Sequence, residues 1–153
     1  MARLPDETRH ATVVALDGAG VILRGASGSG KSDLALRLLA DGWTLIADDR
    51  VILTVENDQL VASCPDTLRG MLEVRGIGIV RLTTGEWASR ADVHLVVDLV
   101  ASADAVPRMP EARFFRHSGI ERPAMELYPF QASAGARLRL ALSVLHEPGK
   151  RVE

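Results

Sequence analysis

The chain of 153 residues is long enough to bury a hydrophobic core as one domain without disulfides or metals. Hydrophobic residues make up 47% and charged residues 25% of it, which excludes an intrinsically disordered chain. A formal net charge of -2, with no stripe of Lys or Arg, gives no reason to expect a nucleic acid as partner. With a single cysteine, no signal-peptide core and no apolar run of membrane-spanning length, we expect a cytoplasmic protein without a membrane partner.

After a polar lead-in over residues 1–9, the sequence predicts a β-hairpin. Residues 11–16 are rich in β-branched side chains, an Asp-Gly pair is typical of a tight turn, and residues 19–23 form a second apolar strand. In an antiparallel hairpin, the start of the first strand lies beside the end of the second. His10 would therefore lie near the segment that follows the hairpin, although an exposed His at a strand edge is the simpler interpretation of this residue alone.

Residues 25–32, which we call the phosphate loop, fit the pattern G-x-x-x-x-G-K-[ST] at every constrained position. The loop lies between a predicted strand and a segment, 33–40, with the apolar spacing of a helix, as this motif requires. Its glycines let backbone N–H groups point at anionic oxygens, and the helix adds its positive dipole end. The pattern predicts that Lys31 contacts the β- and γ-phosphates of a nucleotide and that the Ser32 hydroxyl holds Mg2+. The predicted nucleotide-binding residues are Gly25, Ala26, Ser27, Gly28, Ser29, Gly30, Lys31 and Ser32.

Two adjacent carboxylates, Asp48 and Asp49, follow the next predicted strand, residues 43–47. Neighbouring side chains of an extended chain point to opposite faces, so we expect only one of the two to face the phosphates. Folds of this kind place a Mg2+ ligand or catalytic carboxylate at the end of a strand parallel to the one before the loop. A solvated strand end is the alternative. Asp98, which ends a strong buried strand over residues 92–99, fits the generic Walker B pattern and competes for the metal.

The segment 68–82 combines apolar residues with charges and three glycines. Glu73 and Arg75 are two residues apart, so in extended structure they share one face while Leu72 and Val74 share the other. The residues alone predict either the lining of a site or a half-exposed strand, and both interpretations stand.

The rest of the chain completes a single predicted domain over residues 1–153. The stretch 101–129 contains several prolines and is expected to be irregular. Residues 134–146 have the apolar stripe of a helix that ends before a Pro-Gly pair, which leaves 147–153 as a tail.

Taken together, these motifs resemble the catalytic domain of the HPr kinase/phosphorylase family over about residues 10–145. The stretches that carry the resemblance are His10, the phosphate loop, Leu-Ile-Ala-Asp-Asp-Arg-Val at 45–51 and Leu-Glu-Val-Arg-Gly-Ile-Gly-Ile at 72–79. Enzymes of this family use ATP to phosphorylate a serine of HPr, a phosphocarrier of the sugar phosphotransferase system. The resemblance implies an α/β, P-loop kinase-like fold of the HPr kinase/PEP carboxykinase type, with a mixed sheet, a P-loop helix and a C-terminal helix.

The same resemblance implies roles for individual residues. Asp49 would accept the serine proton in the forward reaction and donate a proton in the reverse reaction. The implied catalytic residues are His10, Lys31, Asp49 and, from a looser local match, Arg108. The implied Mg2+ ligands are Ser32 and Glu73, with Asp48 as a further candidate. ATP and Mg2+ are the implied cofactors, an HPr-like phosphocarrier is the implied partner, and a homo-oligomer is expected because the family forms hexamers.

Two departures from the family pattern shape the expected function. We expect a short form without the N-terminal domain of full-length members, and residues 128–131 lack the Pro-Gly-Arg-Asn pattern used in dephosphorylation. Kinase activity is therefore predicted more strongly than the reverse phosphorolysis. The alternatives are a non-catalytic module that senses ATP and binds a phosphotransferase protein, and a small-molecule kinase on the same scaffold.

Overall fold

A computed structural model describes residues 9–152, with the side chain of Arg9 outside the description. Residues 1–8 of the predicted lead-in lie outside the described residues, and Arg9 begins the first strand. The strands are β1 Arg9–Leu16, β2 Ala19–Arg24, β3 Thr44–Ala47, β4 Arg50–Glu56, β5 Gln59–Ser63, β6 Met71–Val74, β7 Gly78–Arg81, β8 Arg90–Leu99, β9 Arg113–His117 and β10 Ile120–Leu127. The α-helices are α1 Lys31–Ala40 and α2 Ala134–His146, and short 3-10 helices cover Asp66–Leu68, Ala103–Ala105 and Pro148–Lys150.

Five strands pair into a closed ring. β1 is antiparallel to β2, β2 is parallel to β8, β8 is antiparallel to β5, β5 is antiparallel to β4, and β4 returns to β1. The sheet is therefore mixed, as predicted. The β1–β4 pairing is the shortest of the five, with only Arg9 opposite Val51 and His10 opposite Arg50. One buried apolar cluster takes side chains from all five ring strands, including Val13, Ile22 and Leu53.

The strands β2, β8 and β10 lie side by side and run parallel. Their carboxyl ends consequently meet at one edge of the sheet, which is where open α/β sheets bind ligands. The phosphate loop, the β8–β9 connection over residues 100–112 and the segment 128–133 all leave the sheet at this edge. Sequence motifs far apart in the chain are thereby brought to one place.

Both α-helices pack on one side of the sheet and form a second apolar cluster. Leu34 and Leu38 of α1 are buried together with Leu138 and Leu142 of α2, against strand residues such as Leu23. α2 has the predicted bounds because its apolar side chains recur with the helical period. α1 begins two residues before the predicted start, since the Leu34 N–H already donates to the Gly30 carbonyl oxygen at 2.9 Å.

The prediction that residues 101–129 are irregular is wrong. β9 and β10 both lie within this stretch and pair with each other in antiparallel fashion. Pro123 is tolerated in β10 because it faces Phe114 of β9, whereas the parallel pairing of β10 with β8 begins only at Ala124. A proline lacks an N–H group, so it fits where the second ladder has not yet started.

A pair of histidines joins β8 to the end of α2. His94 Nδ1 and His146 Nε2 are 2.9 Å apart, and the two rings meet edge to face with centroids 5.1 Å apart. One ring nitrogen must donate and the other accept, so protonating both rings breaks this contact. Burial of His94 is the largest cause that lowers its pKa below 6.5, followed by charge on His146; Arg122 acts in the same direction and Asp92 in the opposite one.

We expect the free energy of unfolding to decrease as the pH falls through 6.5 toward the lower folded-state pKa of His94. The unfolded state binds this proton more readily than the folded state, so the stabilisation is complete above the unfolded pKa and is lost on acidification. Urea unfolding at about pH 7.5 and about pH 5.5 measures the difference, which His94→Gln should reduce. His10→Gln is the control, because the His10 side chain is 81% exposed. An equal loss on acidification in His94→Gln and the unsubstituted chain contradicts the prediction.

Within residues 9–152, neither helix has the length and apolar character to cross a lipid bilayer.

Candidate active site

The phosphate loop wraps around the ammonium group of Lys31. Lys31 is only 8% exposed, and its Nζ donates to the carbonyl oxygens of Gly25 at 2.5 Å and Ala26 at 3.1 Å. The Ser29 N–H donates to the Ala26 carbonyl oxygen at 2.9 Å and closes the turn of the loop. A buried positive charge is thus held at the amino end of α1, where the helix dipole also favours an anion.

The glycines of the loop are required by its shape. A Cβ at Gly25 would lie 2.4 Å from Ser29 Oγ, and Gly28 and Gly30 have φ angles of 82° and 103°. The Ser29 Oγ is itself buried and has no hydrogen-bond partner among the described residues. A buried hydroxyl without a partner is unfavourable, so this donor suits an incoming anionic oxygen. The loop therefore fits the polyphosphate of a nucleotide.

Asp48 connects the phosphate loop to the strand that follows α1. Its Oδ1 accepts hydrogen bonds from Ser32 Oγ at 2.7 Å and Thr12 Oγ1 at 3.1 Å, and its Oδ2 accepts one from the Glu73 N–H at 3.2 Å. Carboxylate and hydroxyl oxygens are suitable ligands for Mg2+, which retains waters and uses phosphate oxygens for the rest of its shell. No three His, Cys, Asp or Glu side chains of residues 9–152 converge as a metal cluster. A Mg2+ ion would therefore be held by Ser32, Asp48 and phosphate oxygens, a donor set that the site can supply.

Asp48 and Asp49 have different partners, as predicted, although the chain is bent at both residues and not extended. Its Oδ1 lies 3.6 Å from His10 Nδ1, and the two side chains are 63% and 81% exposed. The backbone of Asp49 is left-handed, with φ at 68°. The pairing of β1 with β4 places His10 beside Arg50, so the ring closure brings His10 to this carboxylate.

β6 and β7 form a separate two-stranded hairpin beside Asp48. Leu72 is buried under it, whereas Glu73 is exposed. β6 ends at Val74, and Arg75 lies in the turn. The extended segment that would place Glu73 and Arg75 on one face is therefore not formed, because the chain reverses direction at Arg75. Glu73 keeps its place near the site through the contact of its N–H with Asp48.

Comparison with known proteins identifies the family. The model of the HPr Serine kinase C-terminal domain matches residues 3–114 of the chain. The chain belongs to this family.

Curated relatives and a solved structure agree with this assignment. The chain is 36% identical over 124 residues to an HPr kinase/phosphorylase from Peptoclostridium acidaminophilum, covering 80% of this chain and 39% of the relative. It is 43% identical over 96 residues to one from Lactobacillus acidophilus, covering 60% of this chain and 30% of the relative. The chain thus spans well under half the length of these relatives. The structure of the Hpr(Ser) kinase/phosphatase from Coxiella burnetii matches with a TM-score of 0.76 and 29% identity, over 95% of this chain and 97% of that chain. The predicted α/β fold of the HPr kinase type is confirmed.

Asp98 is engaged by arginines. Its carboxylate accepts hydrogen bonds from Arg24 Nε at 2.8 Å, Arg24 Nη2 at 3.1 Å and Arg113 Nη2 at 3.3 Å. The Arg24 guanidinium also lies over the Phe115 ring, 5.0 Å from its centroid. Of the two carboxylates that competed for the metal, Asp48 contacts Ser32, whereas Asp98 ties together the ends of β2, β8 and β9.

Arg108 is exposed in the connection between β8 and β9. This connection leaves the sheet at the same edge as the phosphate loop, because β8 is parallel to β2. Its role as a catalytic arginine stays a prediction.

Sequence reasoning missed one residue of the site, Thr12. Thr12 is fully buried in β1, and its hydroxyl donates to Asp48 Oδ1 at 3.1 Å and accepts a hydrogen bond from the Asp49 N–H at 3.4 Å. One hydroxyl thereby orients both aspartates. The only sequence signal was a polar side chain within an apolar strand, which identifies no partner 36 residues away.

Proposed function

We propose that this HPr kinase C-terminal domain transfers the γ-phosphoryl group of ATP to a serine of an HPr-like phosphocarrier protein. The observation that carries the proposal is the 2.7 Å hydrogen bond from Ser32 to Asp48. This hydrogen bond connects the phosphate loop to the residue next to Asp49. The proposed phosphate-binding site and the proposed proton acceptor therefore lie on adjoining elements.

Phosphoryl transfer passes through a loose transition state, so a kinase mainly positions groups and balances charge. In the proposed reaction, loop N–H groups and Lys31 bind the β- and γ-phosphates. Ser32 and Asp48 would hold Mg2+, with Glu73 as a further candidate ligand, and the ion would neutralise charge on the phosphates. The ionised carboxylate of Asp49 takes the proton of the serine hydroxyl as its oxygen bonds to the γ-phosphorus. The bond to the bridging oxygen breaks, and ADP leaves.

The exposure of Asp49 suits a protein substrate. Its side chain is 63% exposed, so a serine on another protein has access to the carboxylate without entering a deep cavity. His10 Nδ1 lies 3.6 Å from Asp49 Oδ1, and His10 is proposed to position this carboxylate or to contact the transferred group. In the reverse direction, with inorganic phosphate as acceptor, Asp49 would have to carry the proton first.

One assay tests the proposal. The domain is incubated with labelled ATP, Mg2+ and the HPr-like carriers of its own organism, and we expect label on a carrier serine. Tight ATP binding with no label transferred contradicts the proposal and indicates a sensing module. Label on a metabolite in the absence of any protein acceptor contradicts it too and indicates a small-molecule kinase.

We expect Asp48→Asn to raise the Mg2+ concentration needed for half-maximal transfer by about 10- to 100-fold. The amide removes the negative charge. In the unsubstituted chain the Glu73 N–H donates to Asp48 Oδ2, and in the variant it would face an NH2 group, which cannot accept. Transfer rates measured over a Mg2+ titration give the midpoint. Asp92→Asn is the matched control, because Asp92 lies near the start of β8, at the end of the sheet away from the phosphate loop. An unchanged midpoint in Asp48→Asn removes this residue from the metal site.

The proposal also covers the organisation of the protein. Both apolar clusters take residues from β1, β2 and β8, which supports a single folding unit. By the family resemblance we propose a cytoplasmic homo-oligomer, a hexamer as in other members.

A further inference from the structure

The segment 128–131, which follows β10, packs directly against the phosphate loop. A Cβ at Gly30 would lie 2.9 Å from Phe130 Cζ and 3.1 Å from Pro129 Cγ. Arg37 of α1 donates a hydrogen bond to the Pro129 carbonyl oxygen. The segment is therefore fixed to both the loop and the helix that begins there.

Two aromatic rings of this segment form a braced pair. The Tyr128 and Phe130 centroids are 5.8 Å apart with an interplanar angle of 74°, an edge-to-face arrangement. Tyr128 is half-buried, whereas Phe130 is 55% exposed. The whole chain has only three Phe, two Trp and one Tyr, so a third of its aromatic residues lie in these four positions. A single exposed Phe is ordinary, but this one is held in place beside a predicted ligand.

The topology indicates which part of a ligand would reach Phe130. The phosphate loop follows β2, and β10 lies two positions along the parallel part of the sheet, beyond β8. We place the sugar and base of a nucleotide bound by the loop along this edge, because open α/β sheets bind ligands outside the carboxyl ends of their strands. The exposed part of the Phe130 ring is the aromatic surface that adjoins the loop there.

We propose that Phe130, braced by Tyr128, is a stacking platform for the base of the nucleotide whose phosphates bind the loop. The proposal rests on the nucleotide of the proposed function and adds a base subsite to it. Stacking on an aromatic ring needs only the π-face of the base, so the platform accepts a purine without hydrogen bonds to its edge.

Calorimetric titration of ATP and of inorganic tripolyphosphate, both with Mg2+, separates the base from the phosphates. We expect Phe130→Ala to weaken ATP binding by about 5- to 150-fold, the equivalent of losing one stacked base, and to leave tripolyphosphate affinity unchanged. Phe130→Tyr should retain ATP affinity. Phe114→Ala is the matched control, because Phe114 on β9 is also 55% exposed.

Two outcomes overturn the platform. If Phe130→Ala weakens both ligands equally, the ring only shapes the phosphate loop through Gly30. If it weakens neither ligand, the base binds elsewhere.

The results for the stacking platform and for the proposed kinase function can be distinguished. If ATP binding depends on Phe130 but no phosphoryl group is transferred to a carrier, the platform is supported and the proposed kinase function is contradicted. If Phe130→Ala transfers the phosphoryl group with an unchanged KM for ATP, the proposed kinase function is supported and the platform is contradicted.

Discussion

Replacing Asp49 with Asn is expected to slow phosphoryl transfer by about 100-fold or more while leaving ATP affinity nearly unchanged. The amide has the shape of the carboxylate but cannot take the serine proton. Asp49 has φ at 68°, a left-handed conformation that Asn also tolerates well. The substitution therefore tests the chemistry of the side chain with little disturbance of the backbone. Single-turnover transfer rates and ATP titrations give the two quantities.

Asp58→Asn is the matched control for this experiment. Asp58 is also left-handed, with φ at 62°, and is exposed in the turn between β4 and β5. The control substitution makes the same chemical change in the same backbone conformation, but away from the phosphate loop. Phosphoryl transfer should therefore proceed at the normal rate. Transfer by Asp49→Asn as fast as by the unsubstituted chain would assign the proton to another acceptor.

Replacing Lys31 with Met is expected to lower phosphoryl transfer by about 100- to 1000-fold, with a parallel loss of ATP affinity. In the proposed mechanism, Lys31 binds the phosphates, and its positive charge attracts them in the ground state as well as in the transition state, whereas Asp49 acts only on the proton. The residue is 8% exposed and is surrounded by the loop carbonyls of Gly25 and Ala26. Met retains most of the length of the side chain and removes the charge.

Met leaves the Gly25 and Ala26 carbonyl oxygens without the donor that Lys31 supplies, so we expect a loss of about 1–3 kcal/mol in the free energy of unfolding with the fold retained. Thermal unfolding of the variant checks this directly. Lys150→Met alters the only other lysine of the chain, which contacts Ser143 and Glu147 at the end of α2, and should leave ATP binding intact. Unchanged ATP affinity in Lys31→Met would contradict the assignment of the loop as a phosphate site.

The predictable features of this protein are those that neighbouring residues determine. The phosphate loop was identified from sequence because its shape needs glycine where a Cβ would strike Ser29 or where φ is positive. Helix α2 was predicted within its bounds because burial on one side imposes a helical period on the sequence. By contrast, β9 and β10 were missed because prolines obscured a strand whose pairing partners change at residue 124.

The contacts of the site depend on residues far apart in the chain, and the sequence could not provide them. Asp48 follows a buried strand and Asp98 lies at the end of one, and nothing local shows which of them contacts the phosphate loop. The difference lies in Arg24 and Arg113, which engage Asp98, and in Thr12, which orients Asp48. These pairings exist only once the strands have assembled.

The short pairing of β1 with β4 has a dynamic consequence. Two residue pairs join these strands, supported by the hydrogen bond from the Ala11 N–H to the Asp49 carbonyl oxygen at 3.1 Å, and His10 and Asp49 lie at this seam. Local opening of the seam would separate this histidine from the carboxylate, because local opening requires only the contacts at the opening to break. We therefore expect the distance between His10 and Asp49 to vary more than the contacts of the buried Lys31 ammonium with the loop carbonyl oxygens.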